Sequence, residues 1–319
     1  MTPRILVTGA GGYLGSQLIA ALAAREGATG RLLAVDVRPP PADLPAGIDC
    51  AQIDVRAPEL VACFREHRPE VVVHLAAIVT PGPGSDRAFE YSVDVDGTGN
   101  VLRACLAAGV RRLVVSSSGA AYGYHADNPS WITEDQPLRG NESFAYAHHK
   151  RLVEEMLARW RREHPQLEQV VLRIGTILGA TVNNQITALF EKPRLLAIRG
   201  SDSPFVFVWD EDVVGAILHA IAGGPAGVYN LAGDGALTIR QIAARLGKRC
   251  VVVPPGLLRA ALALLKPLHL TRYGPEQVDF LRWRPVLDNT RLKTVFGYTP
   301  KCSSAQAFAL YADARASKG

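Results

Sequence analysis

The sequence of 319 residues predicts an α/β fold built on a doubly wound parallel sheet. Short apolar runs alternate with longer amphipathic stretches up to about residue 235, and the runs are aliphatic on both faces, as in strands buried between helices. Strand, helix and strand in succession require parallel pairing with right-handed crossovers. A composition of 48% apolar and 20% charged residues fits a globular chain with a sizeable core and excludes a disordered or collagen-like one.

The predicted elements alternate in order along this part of the chain. The strands are expected at Ile5–Thr8, Leu32–Asp36, Asp49–Asp54, Val71–Leu75, Leu113–Ser117, Val170–Arg173 and Val228–Leu231. The helices between them are expected at Leu14–Arg25, Pro58–His67, Gly97–Ala108, Tyr146–His164 and Glu211–Ile221. The last helix and strand return to the sheet after an interruption.

The composition and periodicity of the sequence change after Arg173. Residues 176–207 mix Asn, Pro and Gly with short apolar pieces, and the tail holds an amphipathic helix at Ile239–Leu246 and a break at Pro254-Pro255. We therefore predict two domains. The first covers residues 1–175 and regains residues 210–233, and a smaller, discontinuous domain over residues 176–319 closes over the sheet.

Charge and cysteine content exclude several functional classes. Basic residues outnumber acidic ones by 35 to 30, but the two signs are interleaved, so no nucleic-acid partner is predicted. Five scattered cysteines have no spacing typical of metal ligands, which predicts no metal site and reduced thiols in a cytoplasmic protein. The chain opens directly on an apolar strand, so no signal peptide is expected.

The longest apolar stretch runs from Leu257 to Leu270 and is interrupted by Arg259 and Lys266. It is too short and too charged to span a bilayer. A helix packed in a lid or domain is the favoured interpretation, and a helix on a membrane surface is the alternative. No membrane partner is therefore predicted.

A glycine-rich turn follows the first strand and opens the first helix. Gly9 permits the tight turn, Gly12 lets a pyrophosphate approach the backbone, and Gly15 lets the helix pack close to the sheet. The free N–H groups at the start of the helix, where Tyr13 and Leu14 stand, attract phosphate charge. This position between a strand and a helix predicts a dinucleotide-binding cradle.

An acidic residue downstream of the glycines supports the same prediction. Asp36 ends the second strand, 21 residues beyond Gly15, where a carboxylate accepts both hydroxyls of an adenosine ribose. Because it would repel a 2′-phosphate, NAD is favoured over NADP, although Arg38 lies close enough to weaken that preference. Asp54 ends the third predicted strand and Val55 follows it, and both are candidates to contact the adenine, with an ordinary strand-end cap as the alternative for Asp54.

A tyrosine and a lysine at helical spacing form the candidate catalytic pair. Tyr146 and Lys150 are four residues apart, hence on one helical face, and a nearby ammonium stabilises a phenolate. Such a tyrosine can take a proton from an alcohol while hydride leaves the same carbon. Ser118 leaves the carboxyl end of a strand and is expected to orient the reacting oxygen, with Ser116 close to the cofactor.

These features together resemble the extended short-chain dehydrogenases/reductases of the NAD-dependent epimerase/dehydratase type. The matched features are Thr8–Gly15, Asp36, Asp54, His74–Ala77, Gly97–Leu102, Ser116–Gly123, Tyr146 with Lys150, Leu172-Arg173 and Phe296–Pro300. The resemblance implies a Rossmann-type sheet of about seven strands, NAD as the cofactor, an NAD-binding domain over residues 1–175 and a mainly substrate-binding domain over residues 176–319.

The resemblance also implies roles for individual residues. It makes a catalytic triad of Ser118, Tyr146 and Lys150. It places three residues along the cofactor, namely Leu75, Ala76 and Ala77. Members of this family often dimerise through the helices that begin near Gly97 and Tyr146, so a homodimer is expected.

Departures from the family pattern bear on the substrate. Dehydratases usually carry an Asp-Glu pair where this chain has Gly119-Ala120, which disfavours sugar dehydration. Asp94 stands where an Asn is common, Thr176 where nucleotide-sugar members usually have an Asn, and Trp209 where a His is common. The candidate substrate contacts are Ser118, Tyr122, Thr176, Asn183 and Trp209.

Two versions of the implied reaction stay open. A 4-epimerase would oxidise a sugar and reduce it again with NAD retained. A dehydrogenase or reductase would release NADH after acting on a sugar, a sugar nucleotide or another alicyclic alcohol. From a different class, a non-catalytic protein that senses NAD(P) on the same fold is the alternative.

Overall fold

A seven-stranded parallel sheet forms the centre of the computed structural model, which describes residues 3–25, 31–40, 44, 46–82, 84–202, 204–268, 270–271 and 274–317. Its strands are β1 (Ile5–Thr8), β2 (Leu32–Asp36), β3 (Asp49–Gln52), β4 (Val71–His74), β5 (Arg112–Ser118), β6 (Glu168–Ile174) and β10 (Gly227–Leu231). They lie in the order β10-β6-β5-β4-β1-β2-β3. The predicted doubly wound α/β class is therefore confirmed.

Helices cover both faces of this sheet. They are α1 (Tyr13–Ala23), α2 (Glu59–His67), α3 (Arg87–Tyr91), α4 (Gly97–Ala108), α5 (Ala145–Glu163) and α7 (Asp210–Ile221). A π-helical turn, Ser92–Asp96, joins α3 to α4, and a 3₁₀ turn, Gly119–Tyr122, follows β5. Observed bounds differ from the predicted ones by one or two residues, as is usual at frayed ends.

The inner strands are aliphatic on both faces because each face packs against its own layer of helices, whereas the edge strand β3 is polar and mostly exposed. In β1, Ile5 and Val7 belong to the core shared with α1 and α7, whereas Leu6 belongs to the core shared with α2, α4 and α5. Successive residues of a strand point to opposite faces, so alternate side chains enter the two cores. This burial removes every one of the four β1 side chains from solvent.

The remaining elements form a region with its own core. Two small parallel sheets pair β7 (Thr176–Leu178) with β9 (Phe207–Trp209), and β8 (Arg194–Ile198) with β11 (Arg249–Val253). The helices are α6 (Gln185–Phe190), α8 (Ile239–Arg245), α9 (Pro255–Leu265), α10 (Gln277–Arg282) and α11 (Ser304–Ala316). Phe190, Phe205, Phe207 and Phe308 form the aromatic centre of this core.

The favoured interpretation of the α9 sequence was a helix packed in a lid or domain, but the structure leaves this helix largely on the surface. None of its residues is buried, and it contacts the rest of the structure mainly through α10. The apolar stretch therefore does not supply core, even though its composition is typical of a core helix. Within the described ranges, no helix combines the length and the apolar character needed to cross a membrane.

Candidate active site

The crevice that defines the site opens where the winding of the sheet reverses. From β1 the chain proceeds outward to β2 and β3, then returns to β4 on the other side of β1 and continues to β5 and β6. In open α/β sheets, ligands bind at such a switch point, outside the carboxyl ends of the strands. Thr8, Asp36, His74 and Ser118 each end one of the strands that meet there.

The glycine-rich turn has no room for side chains at two of its three predicted positions. Gly9 has a φ of +73°, and a methyl group there would lie 2.6 Å from the backbone nitrogen of Ala76. A methyl group at Gly15 would collide with the carbonyl oxygen of Gly9. This close approach of α1 to β1 aims the amino end of the helix into the crevice, a geometry that suits a pyrophosphate.

Asp36 is charged and tightly held beside this turn. Its Oδ2 accepts a hydrogen bond from Gly11 N (2.9 Å), and its Oδ1 accepts bonds from Arg38 N and Arg38 Nε (3.0 Å each). Burial raises the pKa of the carboxyl, but the hydrogen bonds from Arg38 and Gly11 outweigh burial and hold that pKa below its usual range. The guanidinium of Arg38 is 59% exposed and lies over the glycine-rich turn.

Asp54 caps its strand end and pairs with a neighbouring arginine. Its carboxylate accepts bonds from Arg56 N (2.8 Å) and Arg56 Nη2 (2.6 Å), and Arg56 lowers the pKa of Asp54. Val55 is buried, and its carbonyl oxygen accepts a bond from Asn100 Nδ2 (2.8 Å). The structure thus shows Asp54 in a capping role, and the contact of Asp54 and Val55 with an adenine stays a prediction.

A buried histidine forms the floor of the crevice. The two ring nitrogens of His74 lie 2.7 Å from Thr8 Oγ1 and 3.0 Å from Thr98 Oγ1, which ties β4 to β1 and to α4. Desolvation by burial, with a smaller effect from the positive charge of Lys150, lowers the pKa of His74 to about 3. The ring is therefore neutral and structural, and Leu75, Ala76 and Ala77 follow it as half-buried residues along the crevice.

The candidate catalytic pair lies at the carboxyl end of β5. Lys150 is only 6% exposed; its Nζ donates to the carbonyl oxygen of Ser116 (2.9 Å) and lies 5.6 Å from the centre of the Tyr146 ring. Ser118 Oγ accepts a bond from Ala120 N (3.1 Å), which leaves the hydroxyl hydrogen available to a ligand. The turn that begins after Ser118 packs against α5, so the three predicted catalytic residues border one region.

An aromatic wall, which the sequence analysis did not predict, lies around Tyr146. Tyr146 packs in a cluster with Tyr124, Phe144, Phe280 and Trp283. Tyr124 contacts the rings of Phe144 and Phe280 edge-on, with centroids 5.2 and 5.1 Å apart. Phe280 and Trp283 come from α10 and the residue after it, so the C-terminal half contributes directly to the surroundings of the tyrosine.

Another group that the sequence did not single out lies beside this wall. The Arg284 guanidinium stacks 3.8 Å from the ring centre of Phe205 and 4.9 Å from that of Phe280. The residue is partly buried, and desolvation by these surroundings lowers the pKa of Arg284 to about 9. The only local signal in the sequence is the dense run of aromatic and basic residues at 280–284.

Asp94, which stands where the family commonly has an Asn, contacts His149 on α5. Asp94 Oδ2 lies 3.1 Å from His149 Nδ1, Asp94 Oδ1 accepts a bond from Ile78 N (2.8 Å), and both side chains are almost fully buried. The pair connects the π-helical turn, the loop after β4 and the helix that carries Tyr146 and Lys150. The pair thus fixes the position of α5 relative to the loop after β4.

The hydroxyl groups of two tyrosines in the predicted sites form hydrogen bonds with other residues of the chain. Tyr122 is 1% exposed; its hydroxyl donates to Asn230 Oδ1 (2.8 Å) and accepts from Arg173 Nη1 (2.7 Å), and burial raises its pKa to about 12. This placement in the core argues against the predicted substrate contact. The Tyr13 hydroxyl donates to Asp210 Oδ2 (2.5 Å), and burial raises its pKa to about 12. The predicted phosphate contact at Tyr13 involves the backbone N–H and stays a prediction.

The other predicted substrate residues are spread over the C-terminal half. Thr176 is half-buried at the start of β7, and Trp209 is half-buried at the end of β9, where it packs on the aromatic core. Asn183 is exposed, whereas the side chain of its neighbour Asn184 accepts bonds from Ile186 N and Thr187 N (2.9 Å each) as the cap of α6. No contact joins these residues to Tyr146 or Lys150 within the described part of the chain.

Comparisons with known proteins agree with this geometry. A family model described as the NAD dependent epimerase/dehydratase family matches residues 5–232. An uncharacterised protein of Mycobacterium tuberculosis is 30% identical over 309 residues, covering 95% of this chain and 82% of the relative. The UDP-glucose 4-epimerase of Mycolicibacterium smegmatis is 30% identical over 337 residues, covering 96% of each chain.

A solved structure shares the fold. The Bordetella bronchiseptica enzyme WbmG, crystallised with NAD and UDP, superposes with a TM-score of 0.75 at 22% identity, covering 100% of this chain and 96% of the other. The matching family model spans all seven strands of the central sheet, together with the glycine-rich turn, Asp36, Tyr146 and Lys150. The chain therefore belongs to the NAD dependent epimerase/dehydratase family, which confirms the resemblance seen in its sequence and NAD as the cofactor of that family.

Proposed function

We propose that the chain is an NAD-dependent epimerase or dehydrogenase that acts at a secondary alcohol carbon, with Tyr146 as its general acid and base. The observation that carries this proposal is the buried ammonium of Lys150, fixed by Ser116 O and 5.6 Å from the Tyr146 ring, at the carboxyl end of β5. A structural lysine would not need to bury its charge next to a phenol in a ligand crevice.

Each residue of the group has a separate role in the proposed reaction. Tyr146 takes the hydroxyl proton of the alcohol and returns it in the reverse step, and Lys150 stabilises the phenolate formed in between. Ser118 donates its free hydroxyl hydrogen to the reacting oxygen and so orients it. NAD, held by the glycine-rich turn and Asp36, supplies the hydride acceptor.

The proposed substrate is a sugar nucleotide. The relative from M. smegmatis is a UDP-glucose 4-epimerase, and the B. bronchiseptica enzyme was solved with UDP. The aromatic wall of Phe144, Phe280 and Trp283 offers flat apolar surfaces to the C–H faces of a sugar ring, and residues 176–319 supply most of the proposed substrate site. Gly119 and Ala120 leave no carboxylate after Ser118, so dehydration is not part of the proposal.

We also propose that the chain works as a cytoplasmic homodimer through α4 and α5. These helices lie close together where Gly99 faces Met156, since a methyl group at Gly99 would be 3.7 Å from the Met156 sulfur. The outer surfaces of both helices remain available to a second copy. Light scattering of the purified chain tests this, with a mass of twice 34.3 kDa expected.

Substrate turnover separates the two versions of the reaction. The purified chain is incubated with NAD and a panel of UDP-sugars and alicyclic alcohols, while absorbance at 340 nm and product stereochemistry are followed. A 4-epimerase inverts a sugar carbon without accumulation of NADH. Net NADH accumulation with any compound of the panel contradicts the epimerase version and supports a dehydrogenase.

Replacement of the proposed acid and base tests the central role. We expect Tyr146→Phe to lower kcat by roughly 10²–10⁴-fold, because the proton can no longer be transferred by a positioned group. NAD affinity, measured by titration calorimetry, stays nearly unchanged. Tyr311→Phe, the same change in the core of the C-terminal half, is the matched control and keeps full activity.

The same variant distinguishes catalysis from NAD(P) sensing. If the unchanged chain turns over none of the compounds but binds NAD, and a measured NAD response persists in Tyr146→Phe, the sensing alternative replaces the enzymatic proposal. Equal turnover by Tyr146→Phe and the unchanged chain would refute the role of the tyrosine.

A further inference from the structure

The surface around α9 concentrates exposed apolar side chains. Among the described residues, half of the exposed large hydrophobic side chains fall in one stretch of sequence. They are Val251, Val252, Leu257, Leu264, Leu265, Leu268 and Leu270, and together they are called the α9 face below. Leu257 and Leu264 are 65% and 70% exposed, which is far above what a core helix shows.

The charges of α9 point away from this face. Leu257 and Leu264 are seven residues apart and share one side of the helix, while Arg259 and Lys266 share the opposite side. Arg259 Nη2 lies 2.7 Å from Asp279 Oδ1, and Lys266 Nζ lies 3.4 Å from Glu276 Oε1. The charged side therefore attaches the helix to α10, and the apolar side is presented to the surroundings.

Asp279 and Glu276 neutralise the two charges of α9 through these ion pairs, but the stretch of sequence that precedes them carries charge of only one sign. Residues 235–275 contain seven arginines and lysines and no aspartate or glutamate. Arg194 and Arg249 are direct partners across β8 and β11, and both are exposed. Neither makes an ion pair with any residue in the described ranges, so the strands that lead into α9 present uncompensated positive charge.

We propose that the α9 face docks on the surface of a lipid bilayer that contains anionic lipids. An apolar helical side that adjoins strands with unpaired basic residues is typical of surfaces that lie in the membrane interface. A helix of eleven residues is about 16 Å long, roughly half of a bilayer core, so it lies on the membrane and does not span it. Isologous contact with a second copy would instead bring together two surfaces that both carry unpaired positive charge, which is a repulsive arrangement.

The docked face is one element away from the proposed catalytic residues. The ion pairs join α9 to α10, and Phe280 of α10 packs in the aromatic wall around Tyr146. Docking would therefore place the aromatic wall close to the lipid surface. The proposal goes beyond the proposed function and does not depend on it, because its test measures vesicle binding without any substrate.

Vesicle flotation with the full chain tests the proposal. We expect binding to vesicles of phosphatidylglycerol and phosphatidylcholine, weaker binding to phosphatidylcholine alone, and a loss of binding as salt is added. The double variant Leu257→Gln/Leu264→Gln should bind the anionic vesicles at least about tenfold more weakly, because two apolar side chains no longer enter the interface. Val295→Gln/Leu310→Gln changes two exposed apolar residues elsewhere and should bind normally.

Charge variants complete the test. Arg194→Glu/Arg249→Glu should remove the preference for anionic vesicles, whereas Arg65→Glu on α2 should leave it unchanged. Circular dichroism and the thermal shift caused by NAD establish that every variant is folded. Absence of binding by the unchanged chain, or equal binding by the leucine variant, overturns the proposal. A leucine variant that changes mass by light scattering but not vesicle binding assigns the α9 face to a second copy instead.

Discussion

At the residue scale, Asp36 and its bonded neighbour Arg38 favour different dinucleotides. The carboxylate of Asp36, the proposed ribose ligand, favours NAD, whereas the positive charge of Arg38 favours NADP. We expect Asp36→Ala to weaken NAD binding by roughly 10- to 150-fold, because charge-assisted hydrogen bonds contribute about 1.5–3 kcal/mol each. NADP binding should fall less, because the substitution also removes the charge that repels a 2′-phosphate and releases Arg38 from its 3.0 Å contact. Calorimetric titration with both dinucleotides measures the two changes.

The control for this experiment is an aspartate on β3, the strand that pairs with the strand of Asp36. Asp49 is exposed at the start of β3, at the opposite end of the strand from the crevice, and Asp49→Ala should leave both affinities unchanged. A loss of equal size for NAD and NADP in Asp36→Ala would remove the ribose contact from the proposed site.

His74 makes the stability of the chain depend on pH. Its pKa is about 3 in the folded chain, against about 6.5 when exposed, so between these values only the unfolded chain binds the proton. Its contribution is fully present above pH ~6.5 and is lost as pH falls. We expect this histidine alone to lower the free energy of unfolding by up to about 1.4 kcal/mol per pH unit below pH ~6.5. Urea unfolding at several pH values measures the slope.

The variant His74→Gln isolates this effect from other titrating groups. Glutamine keeps a neutral side chain that can bond Thr8 or Thr98 but takes up no proton. Burial also lowers the pKa of His67, and that residue contributes equally to both chains. The difference in unfolding free energy between the two chains should therefore shrink as pH falls, and parallel curves would show that His74 is protonated in the folded chain.

The sequence predicted the positions of those side chains that belong to a local motif. Asp36, Tyr146 and Lys150 lie at strand ends or on one helical face because their local spacing sets their direction. It missed the wall residue Phe280, which comes from α10, more than a hundred residues after Tyr146. It also misjudged Tyr122, because the partners that bury its hydroxyl, Arg173 and Asn230, are 51 and 108 residues away in the chain. Spacing rules carry no information about such distant contacts.

At the scale of elements, the junction of β1 and α1 depends on the absence of a side chain at Gly15. We expect Gly15→Ala to weaken NAD binding and to destabilise the chain by about 1–3 kcal/mol, because the methyl group meets the Gly9 carbonyl, a backbone atom that cannot move aside cheaply. Helix α1 then shifts away from the sheet and misplaces its amino end. Thermal unfolding and NAD titration together report both effects.

A glycine in α9 provides the matched control for that substitution. A methyl group at Gly256 meets nothing within 4 Å, and its backbone is helical. Gly256→Ala should therefore be neutral or stabilise the chain by up to about 1 kcal/mol, through the higher helix propensity of alanine. Equal effects of the two substitutions would contradict the explanation that Gly15 is needed for the close packing of α1 on β1.

The elements that the sequence predicted best are the inner strands of the central sheet, which are buried on both faces. Their continuous aliphatic runs flanked by helices have few other interpretations. The edge strand β3 was also identified, although it is polar and mostly exposed. The short strands β7, β8, β9 and β11 were not identified, because three to five residues between prolines and glycines show no period. Composition alone could not show the exposure of α9, since an apolar helix has the same composition in a core and on a surface.

At the scale of the whole molecule, the two halves meet around Tyr146, the proposed acid and base. Phe280 from the C-terminal half packs on Tyr124 and Phe144 from the first half, and Asn230 on β10 bonds the carbonyl oxygens of Ile132 and Asp288 (2.7 and 3.0 Å). These contacts couple the region that holds NAD to the region proposed to hold the substrate. Unfolding of one half therefore exposes apolar surface of the other.

This coupling predicts a single thermal transition that moves as a unit when NAD binds. At NAD concentrations about 100 times its Kd, the folded chain gains about 2.7 kcal/mol, which raises Tm by several degrees. Scanning calorimetry of the chain with and without NAD measures the shift, and Asp36→Ala at the same NAD concentration should show a smaller one. Two transitions, of which only one responds to NAD, would mean that the halves unfold independently and that the contacts around Tyr146 do not join them.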